Sequence, residues 1–255
     1  MNMKLERKPH AALDLDSRVL KGRKIERLLR IESSKDVRRL LEVGTGSGGI
    51  SHYFARHAVH RFDVDSVDVT DCRQVTEGYR FHVVGDVMLP FQDETFDVVV
   101  TNHVIEHVGD DRQQNAHLTE IHRVLKPDGV VYLAVPNRWM LVEPHYRVPL
   151  LSWWPERWRS GWLRLWKKGD FYDCRPLQLA DAERRLREAG FEFRQVHAEA
   201  MRALVEIEFP QSFGWRAMVG LVPDGLFHLL RHMFPTLIWV MRKVTCPTEP
   251  YQLKL

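Results

Sequence analysis

A doubly wound α/β domain is the fold this chain predicts, on three observations. Residues 37–57 read as an apolar strand, a turn holding Gly44, Gly46, Gly48 and Gly49, and a helix. Short apolar runs at 62–69, 81–84, 98–101 and 130–135 alternate with stretches of helical period, as strands joined by crossover helices do. Val98–Thr101 lacks a polar face, as a central parallel strand buried on both sides should.

The 255 residues are 44% hydrophobic and 28% charged, ordinary for one large domain or one domain with an insert. Cys72, Cys174 and Cys246 are odd in number and lack metal spacing, which argues for a reducing compartment without disulfides. The N-terminus is polar and basic, and no apolar run reaches the roughly 18–20 residues of a membrane span, so a cytoplasmic location is expected. The net charge of +3 divides into +6 over residues 1–40, −8 over 41–130 and +5 over 131–255. An acidic middle between basic ends does not form a nucleic-acid stripe, so no nucleic acid is expected as a partner. It suits a cationic ligand, and equally an unevenly charged solvated surface.

In chain order, residues 1–36 read as an N-terminal helical extension, with a helix over Asp16–Ile31 capped by Asp16 or Ser17. The remainder, 37–255, reads as one domain. Its first strand ends in Glu42 and Val43, and glycines let the backbone turn sharply and let a ligand approach closely. Gly44, Gly46 and Gly49 satisfy the dinucleotide pattern G-x-G-x-x-G, a weak signal alone. Glu42, Gly44, Gly46 and Gly48 satisfy E-x-G-x-G-x-G instead. An acid at the end of the second strand is expected to hold ribose hydroxyls; Asp68 fits best, and Asp65, nearer the usual distance, stays open. Asp63 and Asp71 read as solvated loop acids. A helix over 116–125 should end at Pro127-Asp128-Gly129, and the fifth strand should run from Val130 to Val135.

The motifs then accumulate in order: the glycine turn, Asp68, Gly85–Asp86, LPF followed by FDVVV, Glu106–His107, and RVLKPDGVVYLAVPN. Together they resemble the class I S-adenosylmethionine-dependent methyltransferases of the broad small-molecule type over roughly residues 38–137. That resemblance implies a Rossmann-like, mostly parallel seven-stranded sheet whose last strand, 236–244, is antiparallel beside the fifth. It implies S-adenosyl-L-methionine as cofactor. Gly44, Thr45, Gly46 and Gly48 would meet its methionine carboxylate, Glu42 its ammonium and Asp68 its ribose. Asp86 and the Val87 amide would meet the adenine, and Asn102 the methionine portion. Related quinone-pathway O-methyltransferases hold a divalent cation near Glu106–His107 but carry a glutamate where His103 stands, so no metal is expected. The pair is expected to pack the following helix.

Residues 138–176 hold six of the eight tryptophans. Trp154, Trp158, Trp162 and Trp166 share one face of a helix, among Arg157, Arg159, Arg164, Lys167 and Lys168. That pattern fits either a cover packing its aromatic face on the core or an in-plane helix at a membrane surface through 153–168. With 201–235, this insert is expected to wall the acceptor side, and Pro223–Phe234 to form a short apolar helix in the core or pocket lining. FEFRQVHAEA, residues 191–200, reads as an alternating strand. His103 and His145 are the candidates to take a proton from the acceptor, with His107 beside them. The expected function is methyl transfer to a small or lipid-like acceptor, O-methylation foremost. The alternatives are an inactive methyltransferase-like binding module at a membrane, or an NAD(P)-dependent oxidoreductase resting on the glycine pattern alone.

Overall fold

The computed structural model describes residues 14–31 and 36–244. Cys246 and, of the expected N-terminal extension, residues 1–13 and 32–35 lie outside them. Seven strands form one sheet: β1 (Arg38–Val43), β2 (Phe62–Asp68), β3 (Arg80–Val83), β4 (Phe96–Asn102), β5 (Leu125–Pro136), β6 (Phe191–Gln195) and β7 (Thr236–Lys243). Their order is β3-β2-β1-β4-β5-β7-β6. Only β7 runs against the others, paired antiparallel to β5 and to β6. The chain leaves β1 for β2 on one side and returns to β4 on the other, so β1 and β4 form the switch point where such sheets bind ligands. A dinucleotide fold of two parallel halves has no such reversed strand between its last two.

Strand alternation builds two cores. Leu41, Val43, Val99, Val131 and Leu133 face α3 (Asp111–Val124) and α5 (Leu179–Glu188). Leu40, Val98, Val100 and Tyr132 face α1 (Leu15–Leu29), α2 (Gly49–Ala55) and α6 (His197–Glu208). Ile25, Leu28 and Leu29 of α1 share that second core with Ile50 and Phe54, so α1 is part of the domain body.

Several element ends differ from the sequence expectation. Asp14 caps α1, accepting from Asp16 N–H at 3.2 Å. Helix α3 ends at Val124, and Lys126–Gly129 forms a bulge within β5 opposite Asp97, where the register jumps between Phe96 and Val98. Strand β6 stops at Gln195, the last residue paired to β7, and His197 opens α6. Helices α7 (Phe213–Leu221) and α8 (Asp224–Leu229) follow. Of α8 only Phe227 is buried, in a small cluster with Ala198, Val205 and Val219 against which Phe234 packs.

The insert leaves the sheet after Pro136 and returns to the same point. Asn137 bridges Leu177, and Arg138 N–H donates to the Leu177 carbonyl at 2.9 Å. It carries α4 (Glu156–Leu165) and its own small core of Val148, Leu151, Leu163, Tyr172 and Cys174. Arg159 and Leu163 are the buried residues of α4. The tryptophans share the opposite, open face, with Trp158 51% and Trp166 45% exposed and Trp162 half-buried. Trp162 packs against the small core of the insert and donates its Nε1–H to the Pro149 carbonyl at 3.0 Å, whereas Trp158 and Trp166 stay open to solvent.

Candidate functional site

The glycine turn is fastened to the end of β2. Gly44 and Thr45 N–H both donate to the Val67 carbonyl, at 2.9 and 3.2 Å, and the Thr45 hydroxyl donates to the same oxygen at 3.1 Å. Gly46 N–H donates to Asp68 Oδ2 at 2.9 Å. Asp68 thus lies beside the turn as expected, its other oxygen accepting from Val69 N–H at 2.7 Å. Asp65 is engaged elsewhere, with Arg39 at 2.9 Å, Arg80 at 2.7 Å and His82 at 3.1 Å. Burial alone would raise its carboxyl, but hydrogen bonds from Arg80, His82 and Arg39 outweigh that and hold it at about 2.

Gly44 has φ +85°, and a Cβ there would fall 2.3 Å from Val104 Cγ2, so the loops after β1 and β4 meet in close contact. Asn102 ends β4; its Oδ1 is shielded and accepts no hydrogen bond. Asp86 is exposed beyond β3 and accepts from Val87 N–H at 2.6 Å; because Val84 N–H donates to the Asp68 carbonyl, this loop starts at the same edge.

Glu42 is buried in β1 and accepts from the Ser51 amide at 2.9 Å and from the Ser51 hydroxyl. Burial pushes its carboxyl up to about 8, against the Ser51 hydrogen bonds that pull it down. Arg18 of α1 was not singled out from sequence. Its Cβ packs over Gly49, its Nε is shielded without a hydrogen-bond partner, and its charge acts on Glu42. One arginine in a basic amphipathic helix carries no local signal of that position.

The Glu42 value yields a prediction. A folded-state value of about 8 lies above the ordinary 4.5, so the fold holds a proton that the unfolded chain releases. Stability is full below about pH 4.5 and declines as pH rises toward 8. Between pH 5 and 8 the melting temperature of the cofactor-free protein should fall more steeply than that of Glu42→Gln, measured by calorimetry.

Beside this edge stands a second cluster. His103 follows β4 at φ +59°, its N–H donating to the Ala134 carbonyl at 2.8 Å. Glu106 lies on the short turn Ile105–His107, fully buried, with Oε1 3.4 Å from His103 Nδ1, 3.8 Å from His145 Nε2 and 3.9 Å from His107 Nε2. Burial would raise the Glu106 carboxyl, but the histidines outweigh it and hold it below the carboxylate range. Burial lowers His145, and Glu106 with Glu143 and Asp173 reverses that to a net rise. Glu106 faces these imidazoles and also acts on the buried His117 of α3. His145 arrives from the insert, as does Cys174, whose Sγ is 3.7 Å from His107 Nδ1. Cys174 escaped the sequence reading because 67 residues separate it from His107. A hard cation fits poorly, because Glu106 alone among His103, Glu106 and His107 offers oxygen.

A separate polar cavity of about 480 Å³ is lined by Arg23, Arg27, Arg30, Glu206 and Arg216, at the far end of α1 from Arg18.

Residues 41–133 match a family described as a methyltransferase domain. The ubiquinone/menaquinone biosynthesis C-methyltransferase of Ruegeria sp. is 39% identical over 101 residues, 36% of this chain and 39% of that protein. The ubiquinone biosynthesis O-methyltransferase of Maricaulis maris is 26% identical over 164 residues, 61% of this chain and 59% of that protein. The chain thus spans between two and three fifths of these curated relatives. A Haemonchus contortus phosphoethanolamine N-methyltransferase solved with S-adenosyl-L-methionine shares the fold at TM-score 0.52 and 17% identity, over 88% of this chain and 53% of that one.

Proposed function

We propose that this chain, whose residues 41–133 match a methyltransferase-domain family, is a class I S-adenosylmethionine-dependent methyltransferase that moves the cofactor's methyl group to an oxygen of a small or lipid-like acceptor. The observation that carries this reading is the convergence of the turn 44–48, Asp68 and Asn102 on one sheet edge, beside a histidine cluster joined by the insert.

In this reading the turn 44–48 shapes the floor under the methionine end of the cofactor, with Arg18 beside it; the Gly44, Thr45, Gly46 and Gly48 amides, expected to meet the carboxylate, donate instead to Val67, Asp68 and Thr45. Glu42 in its ionised form meets the ammonium, and Asn102 the methionine chain. Asp68 holds the ribose hydroxyls; Asp86 and the Val87 amide hold the adenine. The sulfonium is already activated, so positioning supplies most of the rate, worth about 7–11 kcal/mol when reactants are held in line. His103 accepts the proton that the acceptor oxygen loses, oriented by Glu106 at 3.4 Å. His145 flanks the same carboxylate from the insert.

The similarity to two quinone-pathway methyltransferases supports a quinone-like acceptor, and so does the aromatic insert. No helix among the described residues is long and apolar enough to cross a membrane. A lipid-like acceptor is then met at a bilayer surface, by Trp153, Trp158 and Trp166 with Arg157, Arg164, Lys167 and Lys168, all exposed. Anionic liposomes should co-sediment the protein, and the double change Trp158→Ala, Trp166→Ala should at least halve the bound fraction. An unchanged fraction removes the membrane contact from the account.

The function itself is tested with deuteromethyl-labelled cofactor and a bacterial lipid extract, read by mass spectrometry. The expected product carries the label on a phenolic or hydroxyl oxygen. Label found solely on carbon or nitrogen would refute the O-methyl assignment.

A further inference from the structure

The two ends of the insert bring soft and borderline ligands against the sheet. Cys174 lies just before the insert rejoins at Leu177, and Arg175 N–H donates to the Glu106 carbonyl at 2.8 Å. His145 comes from the loop before α4, and its ring stands 4.9 Å from that of His107, centroid to centroid. One donor atom each from His107, His145 and Cys174 falls within 4.8 Å of the other two. Glu106 is 0% exposed and points into the cluster, its Oε1 3.8 Å from His145 Nε2 and 3.9 Å from His107 Nε2. Asp173 and Glu143 add further negative charge around Cys174.

We propose that His107, His145 and Cys174 bind a zinc-class transition-metal dication that pins both ends of the insert to the turn after β4, with Glu106 behind them as compensating charge. Metal binding at these three residues requires neither the cofactor nor methyl transfer.

Charge supports it. A dication, one thiolate and two neutral imidazoles carry a net +1, which the Glu106 carboxylate cancels, and Glu143 and Asp173 farther out add to the attraction for a cation. Geometry supports it too. Tetrahedral ligands at about 2.0–2.3 Å from zinc stand about 3.3–3.7 Å apart. The Cys174 Sγ to His107 Nδ1 separation of 3.7 Å already meets that spacing. Closing a 4.8 Å triangle to it takes shifts of about 1 Å. Two nitrogens and a sulfur select zinc or cobalt over magnesium, and the fourth position is left to water. Binding replaces the S–H bond of Cys174 with a sulfur–metal bond, and the proton leaves to solvent. This differs from the absence of metal expected from sequence, and from a hard-cation site built on oxygen ligands.

The test uses the full chain, stripped with chelator and titrated with Co²⁺. The expected result is one ion per chain, with intense visible bands of a tetrahedral centre and a near-ultraviolet thiolate-to-cobalt band. Zn²⁺ should bleach both. Cys174→Ser should abolish the near-ultraviolet band, His145→Ala should weaken affinity at least about tenfold, and His103→Ala should leave the spectrum unchanged. Should Cys174→Ser fail to fold, alkylation of the wild type is read peptide by peptide. Zn²⁺ should then slow modification of Cys174 at least about tenfold while leaving Cys72 unaffected. The proposal is overturned by a spectrum without the thiolate band at stoichiometric cobalt, or by a band that survives Cys174→Ser. It is equally overturned by loss of the spectrum in His103→Ala, or by Cys174 alkylation indifferent to Zn²⁺.

Discussion

Asp68→Ala should weaken S-adenosylmethionine binding by about 10- to 100-fold, read by isothermal titration, because a hydrogen bond to a charged group contributes about 1.5–3 kcal/mol. The change removes two things at once. One is the carboxylate assigned to the ribose; the other is the acceptor that fastens Gly46 N–H at 2.9 Å and so holds the turn in shape. Asp68→Asn keeps an acceptor without the charge and should lie between wild type and Ala. Asp65→Asn separates this site from its neighbour. Asp65 serves Arg39, Arg80 and His82, so its loss should lower the melting temperature and leave cofactor affinity within about twofold. A larger affinity loss in Asp65→Asn than in Asp68→Ala would reverse the assignment of the ribose carboxylate.

Gly48→Ala should cost both stability and binding. Gly48 has φ +83°, and a Cβ there would meet Tyr79 Oη at 2.2 Å and the Val75 carbonyl at 2.4 Å. Tyr79 is itself tied to Val75, its hydroxyl donating to that carbonyl at 2.5 Å, and Gln74 and Val75 N–H donate to the Ser47 carbonyl. The backbone of 74–75 therefore sits over the turn and cannot move without breaking these bonds. Left-handed strain alone costs about 1–3 kcal/mol, and with about 2–4 °C per kcal/mol in a chain of this size the melting temperature should fall by about 5–10 °C. Gly85→Ala is the control: its φ is not in the left-handed range, and nothing lies within 4 Å of a Cβ there, so neither stability nor binding should change.

What the sequence disclosed follows from range. The path from β1 through the turn into α2 is contiguous and strongly patterned, so the strand, the glycines and Glu42 could be located together. The motif series that the chain shares with a known family supplied the antiparallel β7, which no local pattern around 236–243 announces. Element ends depended on partners elsewhere. The Lys126–Gly129 bulge exists because Asp97 opposes four residues, and β6 stops where its pairing with β7 runs out at Trp239. Tryptophan spacing correctly put four rings on one face, but not the fact that Arg159 and Leu163 occupy the buried one. The apolar composition of α8 suggested burial, whereas Leu229 and Met233 beside it face outward. His107, His145 and Cys174 meet only because the insert returns to its point of departure, a closure invisible in one dimension.

In the proposed reading, the edge formed by the turn 44–48 and Asp68 is the cofactor site. Isothermal titration of the wild-type chain with S-adenosylhomocysteine, and in parallel with NADH, tests it most directly. One-to-one binding of the nucleoside is expected, lost or strongly weakened in Asp68→Ala, with no measurable heat from NADH. Saturable NADH binding, or nucleoside binding indifferent to Asp68→Ala, would contradict it.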